Sequence, residues 1–223
     1  MRLYEYEGKM LFRKAGIRVP RAWVIGRDSD LSAVDCESWP KAVKAQTLRG
    51  GRGKAGGVLF PGDPAELRAA AGSLLGSALF GEEVAHVLVE DKIAFDREYY
   101  LAVTYKGDLP CIIFSQQGGV DVESLSLTGP RGVIIDPIDI SAGLDSRQAH
   151  SILSRSGVRE DAEELADIML KLYKCFYAND ALLAEINPLA RSLDGLYIAL
   201  DAKVELDDEA RFRQKTLTLP ERR

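Results

Sequence analysis

Residues 50–57 read GGRGKAGG, and this stretch carries five glycines and two cations. It follows KAVKAQTLR, whose alternating apolar and polar residues predict a β-strand. Because glycine lacks a Cβ, the stretch can fold back and point several backbone N–H groups at one anion. Arg52 and Lys54 add positive charge, and Lys44 lies on the preceding strand. The stretch therefore favours a phosphate-binding loop over an ordinary flexible turn, which is the alternative for most glycine clusters.

The residues after the glycines indicate which kind of phosphate loop this is. Residues 51–56 match G-x-G-x-x-G, but the dinucleotide-binding form of that pattern requires a helix to begin at the glycines. Here the glycines lead into VLFP, a strand-like run closed by proline. A helix is predicted only later, with Asp63 as N-cap and Pro64 at the first helical position. The sequence also lacks a Walker A pattern, so it predicts a hairpin whose tip covers a triphosphate.

Composition limits the class of protein. The 223 residues allow one large domain or two lobes with a buried core. The 29 Lys and Arg against 34 Asp and Glu give a net charge of −5, which argues against nonspecific nucleic-acid binding. Three widely spaced cysteines are typical of reduced thiols. No apolar run has membrane-spanning length, and the N-terminus is too charged for a secretory signal. We expect a cytoplasmic protein without a membrane partner, or one from an organelle whose targeting segment lies outside this chain.

The periodicity along the chain predicts an α+β fold with mixed sheets and no internal repeat. A first helix with Leu3, Tyr6, Met10 and Leu11 on one face should end at Gly16. Further helices are predicted at 65–75, 146–155 and 161–177. Strands are predicted at 22–25, 41–46, 57–60, 86–93, 98–105, 111–115 and 132–136. A final hairpin should join 182–189 to 196–204.

The final hairpin carries the second group of candidate residues. Side chains two apart on a strand share a face, so Glu185 and Asn187 should project together while Ile186 points the other way. Folding at the turn brings Asp201 within about one residue of direct opposition to Asn187, with Lys203 on the same face as Asp201. Oxygen-bearing side chains of this kind suit Mg²⁺ held partly by nucleotide phosphates. The alternative is a solvated polar face.

Two glutamates and two histidines complete the candidates. Glu90 ends the apolar run VLVE, where its carboxylate could accept hydrogen bonds from an adenine amino group or a ribose hydroxyl. Glu98 begins the next predicted strand, and both glutamates could instead be ordinary exposed residues. His86 is interpreted as packed on its strand, and His150 as lying on a helix surface.

Six segments together identify a family. They occur in this order: MRLYEYEGKMLFRKAGIRVP, GGRGKAGGV, VLVEDKIAFDREYYLAV, GGVDVE, LLAEINPLA and ALDAKVELDDEARFR. Over nearly its whole length the chain resembles the ATP-grasp part of the ADP-forming succinyl-CoA synthetase β subunit family. The resemblance implies an ATP-grasp fold of two α+β lobes with nucleotide between them. Residues 21–93 would form a smaller lobe inserted into a larger one made of 1–20 and 94–223.

The same resemblance implies which residues bind ATP. They are Lys44, Gly51, Arg52, Gly53, Glu90, Ile93 and Glu98. Lys44 and the backbone of the three loop residues would hold the phosphates. Glu90 and the main chain of Ile93 would line the adenine and ribose pocket, with Glu98 also reaching the nucleotide.

It further implies the metal ligands and the reaction. Asn187 and Asp201 would hold Mg²⁺, and Glu185 would support a phosphohistidine presented by an α-type, CoA-binding partner subunit. Phosphate would pass from ATP to that histidine and then to a carboxylate, from which CoA displaces it to form a thioester. The chain would thus be part of an ADP-forming acid–thiol ligase that meets the carboxylic acid and CoA through its partner.

Some questions stay open at this point. The family's C-terminal CoA-ligase domain is expected to be absent, and the sequence does not decide whether the chain is a fragment or a naturally short subunit. The carboxylic acid and the oligomeric state are also undecided. By resemblance, Pro20 weakly favours ATP over GTP as the nucleotide, because family members that prefer ATP tend to carry proline at this position. Another ATP-grasp carboxylate ligase and a non-catalytic nucleotide-binding assembly subunit remain as alternatives, although the sequence EINP favours the CoA-ligase family.

Overall fold

The computed structural model describes residues 1–27, 29, 31–35, 37–118 and 132–214. The chain divides into two compact units. The larger unit consists of Met1–Leu3, Glu7–Val19 and Phe95–Arg223, and the smaller unit of Tyr4–Tyr6 and Pro20–Ala94. No helix in the described ranges is both long and apolar enough to cross a membrane.

Helix α1 (Glu5–Lys14) is present as predicted and is followed by Gly16 in the left-handed region, with φ +81°. Leu11 and Phe12 are buried in the core of the larger unit. The predicted apolar face is wrong at Met10, which is 37% exposed. Charged residues that the periodicity assigns to the solvent side, Glu5, Glu7 and Lys9, are buried instead.

The part of the smaller unit that the structure describes contains six strands and helix α2. They are β1 (Ala22–Gly26), β2 (Lys41–Ala45), β3 (Val58–Leu59), α2 (Pro64–Leu74), β4 (Ala78–Leu79), β5 (Glu82–Glu83) and β6 (His86–Asp91). Four of the strands form one antiparallel sheet in the order β1-β6-β2-β3. The predicted start of α2 is confirmed: the Asp63 carboxylate accepts hydrogen bonds from the backbone N–H groups of Ala65 and Glu66.

One face of this sheet packs on α2. Val43, Val87 and Val89 are completely buried there, together with Leu67 and Leu74 of the helix. Each buried side chain of this size contributes about 1.5–3 kcal/mol relative to exposure. Because successive side chains alternate, the residues between these valines project from the opposite face.

Within its described residues, the larger unit adds six strands and two helices. They are β7 (Phe95–Lys106), β8 (Leu109–Ser115), β9 (Val133–Pro137), α3 (Ser146–Ser156), α4 (Ala162–Ala178), β10 (Ala181–Ser192), β11 (Tyr197–Ala199) and β12 (Lys203–Leu206). The sheet order is β11-β10-β7-β8-β9, with β12 also paired to β10. All described strand pairs in both units are antiparallel, so the expectation of mixed sheets is wrong for the described residues. The second strand of the final hairpin is also not continuous, since it is divided into β11 and β12.

The two faces of this sheet have different surroundings. Leu101, Val103 and Ile186 belong to the main core, together with buried residues of α3 and α4. Tyr100 and Ala102 alternate with them on β7 and form a smaller cluster with Cys111 and Ile113 of β8. The sheet therefore presents one face to the helical core and the other to the candidate residues.

Candidate functional site

The glycine-rich stretch forms the predicted hairpin loop. Strands β2 and β3 are paired through Val43 with Leu59 and Lys44 with Val58, and the Ala45 N–H donates to the Gly57 carbonyl at 2.8 Å. Gly51 and Gly56 have φ values of +82° and +78°. A side chain would be strained in this left-handed conformation, which glycine adopts at little cost.

The loop tip is open. A Cβ added at Gly50, Gly51 or Gly53 would meet no other atom within 4 Å. At the base of the loop the space is closed, because a Cβ at Gly57 would lie 2.8 Å from the Leu79 side chain. The tip thus has room for a ligand to approach its backbone closely.

The side chain of Arg52 does not have the role expected from the sequence. Arg52 is only 8% exposed, and its guanidinium lies 2.7 Å from the Glu5 carboxylate and donates to the Ala45 carbonyl at 3.0 Å. The expectation that this side chain offers its charge to an anion is therefore wrong for this structure. Lys54, the other cation of the stretch, is exposed.

Lys44 lies between two buried carboxylates. Its Nζ is 2.9 Å from Glu5 Oε1 and 2.7 Å from Glu90 Oε2, and both glutamate side chains are 1% exposed. The register explains the second contact: Ala42 pairs with Glu90 and Lys44 with Leu88, so Lys44 and Glu90 are diagonal neighbours on one face. Two cations and two carboxylates are thus assembled into what we call the lysine cluster: Glu5, Lys44, Arg52 and Glu90.

Sequence reasoning missed Glu5. A glutamate in the first turn of a helix is common because it interacts favourably with the helix dipole, so nothing distinguished it. In the structure its carboxylate is in contact with Lys44 and Arg52, and Gln46 also donates to it at 3.4 Å. One carboxylate therefore connects β2 to the glycine loop.

The remaining predicted ATP-binding residues, Ile93 and Glu98, lie within a few positions of Ala94, where the sequence of the smaller unit ends. Ile93 is half-buried and follows the end of β6. Glu98 lies on β7 and lines a polar cavity of about 450 Å³. Gly118, also in the lining, packs so closely that an added Cβ would lie 2.9 Å from the Glu98 side chain.

In the larger unit, the final hairpin has the register that the sequence predicts. Leu189 is paired with Ala199, and Glu185 with Lys203, at the same offset. Asn187 and Asp201 fall midway between these two pairs, at the gap that separates β11 from β12. They are therefore opposite each other in register without belonging to the regular ladder.

The backbone at this gap departs from regular strand pairing. The Asn187–Pro188 peptide bond is cis, and the Leu200 N–H donates to the Pro188 carbonyl at 3.1 Å. The Asp201 Oδ1 accepts from the Ala202 N–H at 2.7 Å. Asn187 and Asp201 are both half-buried. Asn187 and Asp201 are thus opposite each other in register where the strand pairing is interrupted.

Glu185 lies two residues before Asn187 and accepts a hydrogen bond at 3.0 Å from the Tyr100 hydroxyl. Burial and the adjacent carboxylate raise the pKa of the Tyr100 phenol well above its ordinary value. The four residues Tyr100, Glu185, Asn187 and Asp201 are called the carboxylate cluster below. Sequence reasoning did not identify Tyr100, since its position inside an apolar strand resembles that of a core residue.

The carboxylate cluster has the donor chemistry that Mg²⁺ prefers. Mg²⁺ is commonly bound through one or two protein oxygens, with phosphate and water completing its octahedral shell. Asp201 supplies a carboxylate and Asn187 an amide oxygen. The described residues contain no group of three His, Cys, Asp or Glu side chains placed to hold a metal by themselves. The site therefore fits an ion shared with a phosphate ligand better than an all-protein metal cage.

Neither histidine belongs to these clusters as described. His86 begins β6 and is half-buried. His150 lies on α3, where its Nδ1 donates to the Ser146 carbonyl at 2.7 Å and its Nε2 is 3.1 Å from Glu163. These two contacts raise its pKa, the Ser146 bond more strongly.

The antiparallel sheets with helices packed on them define an α+β protein, and its smaller unit carries an open glycine hairpin. The family described as ATP-grasp domain matches residues 2–191. The chain therefore belongs to the ATP-grasp domain family.

Sequence relatives give a finer comparison. The succinate–CoA ligase [ADP-forming] subunit beta of Methanocaldococcus jannaschii is 38% identical over 216 residues, which are 96% of this chain and 59% of that protein. The resemblance to the succinyl-CoA synthetase β subunit family is thus confirmed. The chain spans less than two thirds of the length of the curated relatives that it matches.

Solved structures share the fold. The structure of ATP citrate lyase from Methanothrix soehngenii in complex with citrate and coenzyme A matches with a TM-score of 0.74 at 22% identity, covering 99% of this chain and 55% of that one. The dinucleotide-forming acetyl-coenzyme A synthetase 1 of Ca. Korarchaeum cryptofilum, in complex with coenzyme A and Mg-AMPPCP, matches with a TM-score of 0.66 at 19% identity. It covers 92% of this chain and 93% of that one, and its phosphohistidine segment points towards the nucleotide binding site.

Proposed function

We propose that this chain is the ATP-grasp part of an ADP-forming acid–thiol ligase that transfers phosphate from ATP to a histidine of an α-type partner subunit. The 38% identity to a succinate–CoA ligase β subunit supports this class of reaction. The carboxylic acid and CoA would be bound with the help of that partner. The free, buried thiols of Cys111 and Cys175 suit a reducing cytoplasm.

ATP would be bound through the lysine cluster and the glycine loop. Lys44 supplies a cation whose position is fixed by Glu5 and Glu90. The open backbone at Gly51, Arg52 and Gly53 can bring N–H groups close to phosphate oxygens. Since the Arg52 guanidinium is bound to Glu5, its contribution to phosphate binding comes from the main chain.

The base and sugar would be bound by the other predicted ligands. The main chain of Ile93 can hydrogen-bond to adenine, and the Glu90 carboxylate to adenine or ribose. Glu98 lines a polar cavity and would reach the nucleotide from β7. This assignment predicts that ATP binding depends on residues of several strands.

Asn187 and Asp201 would hold Mg²⁺. When bound, the ion would supply positive charge that offsets the negative charge developing during phosphate transfer. The residues of the chain contribute the geometry: the gap between β11 and β12 leaves the two oxygen donors opposite each other.

The observation that carries the proposal is the position of Glu185 on β10, two residues before Asn187, with its carboxylate accepting a hydrogen bond from the Tyr100 hydroxyl at 3.0 Å. A carboxylate here can accept the N–H of the partner's imidazole, which orients the other ring nitrogen for attack. That nitrogen forms a bond to the γ-phosphorus as the bond to the ADP oxygen breaks. The carboxylate also stabilises the positive charge that the imidazole develops.

Phosphate labelling tests the proposed transfer. With γ-labelled ATP and Mg²⁺, this chain alone should acquire no acid-labile phosphate, because the nucleophile is supplied by the partner. With a compatible α-type subunit, label should appear on a histidine of that subunit. Glu185→Gln should slow the labelling while ATP binding stays within about two-fold of the parent.

Two results would contradict the proposal. One is labelling of His86 or His150 in the isolated chain. The other is a parental transfer rate in the folded Glu185→Gln variant, which would show that the carboxylate does not act on the nucleophile.

A further inference from the structure

We propose that Tyr100 is a positioning residue for phosphoryl transfer, because its hydroxyl holds the Glu185 carboxylate in the orientation that receives the imidazole. The inference rests on the proposed function, since Glu185 acts there on the partner's histidine. It adds a residue that lies outside the predicted site and assigns the hydrogen bond between Tyr100 and Glu185 a role in the rate of transfer.

The hydrogen bond has favourable geometry and a rigid donor. The Tyr100 hydroxyl lies 3.0 Å from Glu185 Oε2. Tyr100 is 1% exposed, and its ring packs with Ala102, Cys111 and Ile113. A ring confined by neighbours on two strands cannot change rotamer easily, so the hydroxyl is held in place. The flexible partner in the bond is the glutamate.

The sheet register places the two residues within reach. Glu185 of β10 pairs directly with Ala102 of β7, and Tyr100 lies two positions further along the same face. Diagonal neighbours on paired strands are about 7–8 Å apart at their backbones, a span that an aromatic side chain covers. Phenylalanine at position 100 would keep the packing and remove only the hydroxyl.

A donor at one carboxylate oxygen fixes the plane of the carboxylate. The group can accept further hydrogen bonds in that plane, because its two oxygens carry about four lone-pair directions. Lys203 of β12 is directly opposite Glu185 in the strand register.

Tyr197 provides a matched control. It is also 1% exposed, and its hydroxyl is 3.0 Å from a carboxylate oxygen, that of Asp161. Tyr197→Phe therefore removes the same atom from a similar environment. The difference is that Asp161 is not among the residues proposed to bind ATP, Mg²⁺ or the histidine.

The test measures single-turnover transfer of label from ATP to the histidine of an α-type partner, using the full chain. Tyr100→Phe should slow transfer about 10-fold, which is the range for losing a hydrogen bond to a charged group. The Kd for Mg·ATP should change by less than about two-fold. Tyr197→Phe should change none of these quantities.

A double variant separates this inference from the proposed function. If Glu185→Gln leaves transfer unchanged, the proposed function is wrong. If Glu185→Gln slows transfer but Tyr100→Phe does not, only the positioning role is wrong. Adding Tyr100→Phe to Glu185→Gln should cause little further slowing, since both act through one carboxylate. Full additivity would overturn the inference.

A second variant keeps the test valid if Tyr100→Phe folds poorly. Glu185→Asp leaves the tyrosine intact and withdraws the carboxylate by one methylene, so it should also slow transfer about 10-fold with normal ATP binding. Transfer at the parental rate in Glu185→Asp would show that the hydrogen bond is not needed, and would overturn the inference.

Discussion

The lysine cluster and the carboxylate cluster are two polar sites with different construction. In the lysine cluster, long charged side chains are buried and paired with one another: Lys44 and Arg52 with Glu5, and Lys44 with Glu90. In the carboxylate cluster, Glu185, Asn187 and Asp201 are half-buried, and the neutral hydroxyl of Tyr100 donates to Glu185.

The difference teaches that two sites of one chain can be sensitive to substitution for different reasons. Removing one member of a buried ion pair leaves the other charge in a poorly hydrated place, which destabilises the fold. When a half-buried oxygen ligand at a strand gap is removed, water can enter and take its place. We therefore expect substitutions in the lysine cluster to lower both the stability of the fold and the affinity for ATP. Substitutions in the carboxylate cluster should affect Mg²⁺ binding or phosphate transfer without lowering stability.

The largest effect is expected for Lys44→Ala. It leaves Glu5 and Glu90 buried beside each other without this cation, so the free energy of unfolding should fall by about 3–5 kcal/mol. ATP binding should be lost as well. Urea unfolding and calorimetric titration measure the two quantities. Lys54→Ala, an exposed cation of the same loop, should change stability by less than about 0.5 kcal/mol. Equal stability of the two variants would contradict the structural role given to Lys44.

A smaller and more selective effect is expected for Asp201→Asn. Stability should change by less than about 1 kcal/mol, because the residue is half-buried and its backbone hydrogen bond to Ala202 can be kept by an amide oxygen. The Mg²⁺ concentration that supports ATP binding should rise about 10-fold, since a neutral amide attracts a hard cation less strongly.

The measurement for this variant is a Mg²⁺ titration of the thermal stabilisation by ATP. Asp194→Asn, an exposed aspartate in the turn of the same hairpin, is the control and should titrate like the parent. An unchanged titration in folded Asp201→Asn would exclude Asp201 as a ligand.

The smallest effect on the free energy of unfolding is expected for a surface ion pair. Arg213 donates to Asp180 at 2.7 Å, and this bond, with a second from Gln214, lowers the pKa of Asp180 from its ordinary value of 3.8. A depressed carboxyl pKa stabilises the fold above the unfolded value and loses that contribution as pH falls through the folded value. Both side chains are partly exposed, so the gain is at most about 1 kcal/mol.

The corresponding variant is Asp180→Asn. Its unfolding free energy should lie slightly below that of the parent at neutral pH, and the two curves should converge as pH falls below about 4. Urea unfolding across that pH range measures the difference. A gap that stays constant down to the lowest pH would mean that the ionised carboxylate contributes nothing.

Much of the fold follows from local sequence. The Asp63–Pro64 helix start, the glycine hairpin and the offset of the final hairpin depend on residues close together in the chain, and the structure has all three. Alternation also predicted that Ile186 is buried between two less buried residues, Glu185 and Asn187, and the structure has this pattern. The roles of the site residues in binding and transfer remain predictions.

Other features depend on contacts between distant segments. Glu5 and Lys44 are 39 residues apart, and Tyr100 and Glu185 are 85 residues apart. The sequence around Glu5 predicts an exposed helical glutamate, and that around Tyr100 a core aromatic residue. Neither local pattern includes the distant residue that the side chain contacts in the fold, which is Lys44 for Glu5 and Glu185 for Tyr100.

The sequence by itself therefore determined the start of α2, the glycine hairpin, the offset of the final hairpin and the family. Only the tertiary structure decided that Arg52 turns inward to Glu5 and that Tyr100 donates to Glu185. The physical reason is that periodicity and turn propensity are set by neighbouring residues, whereas the direction of a long polar side chain is set by the charges and donors that folding brings next to it.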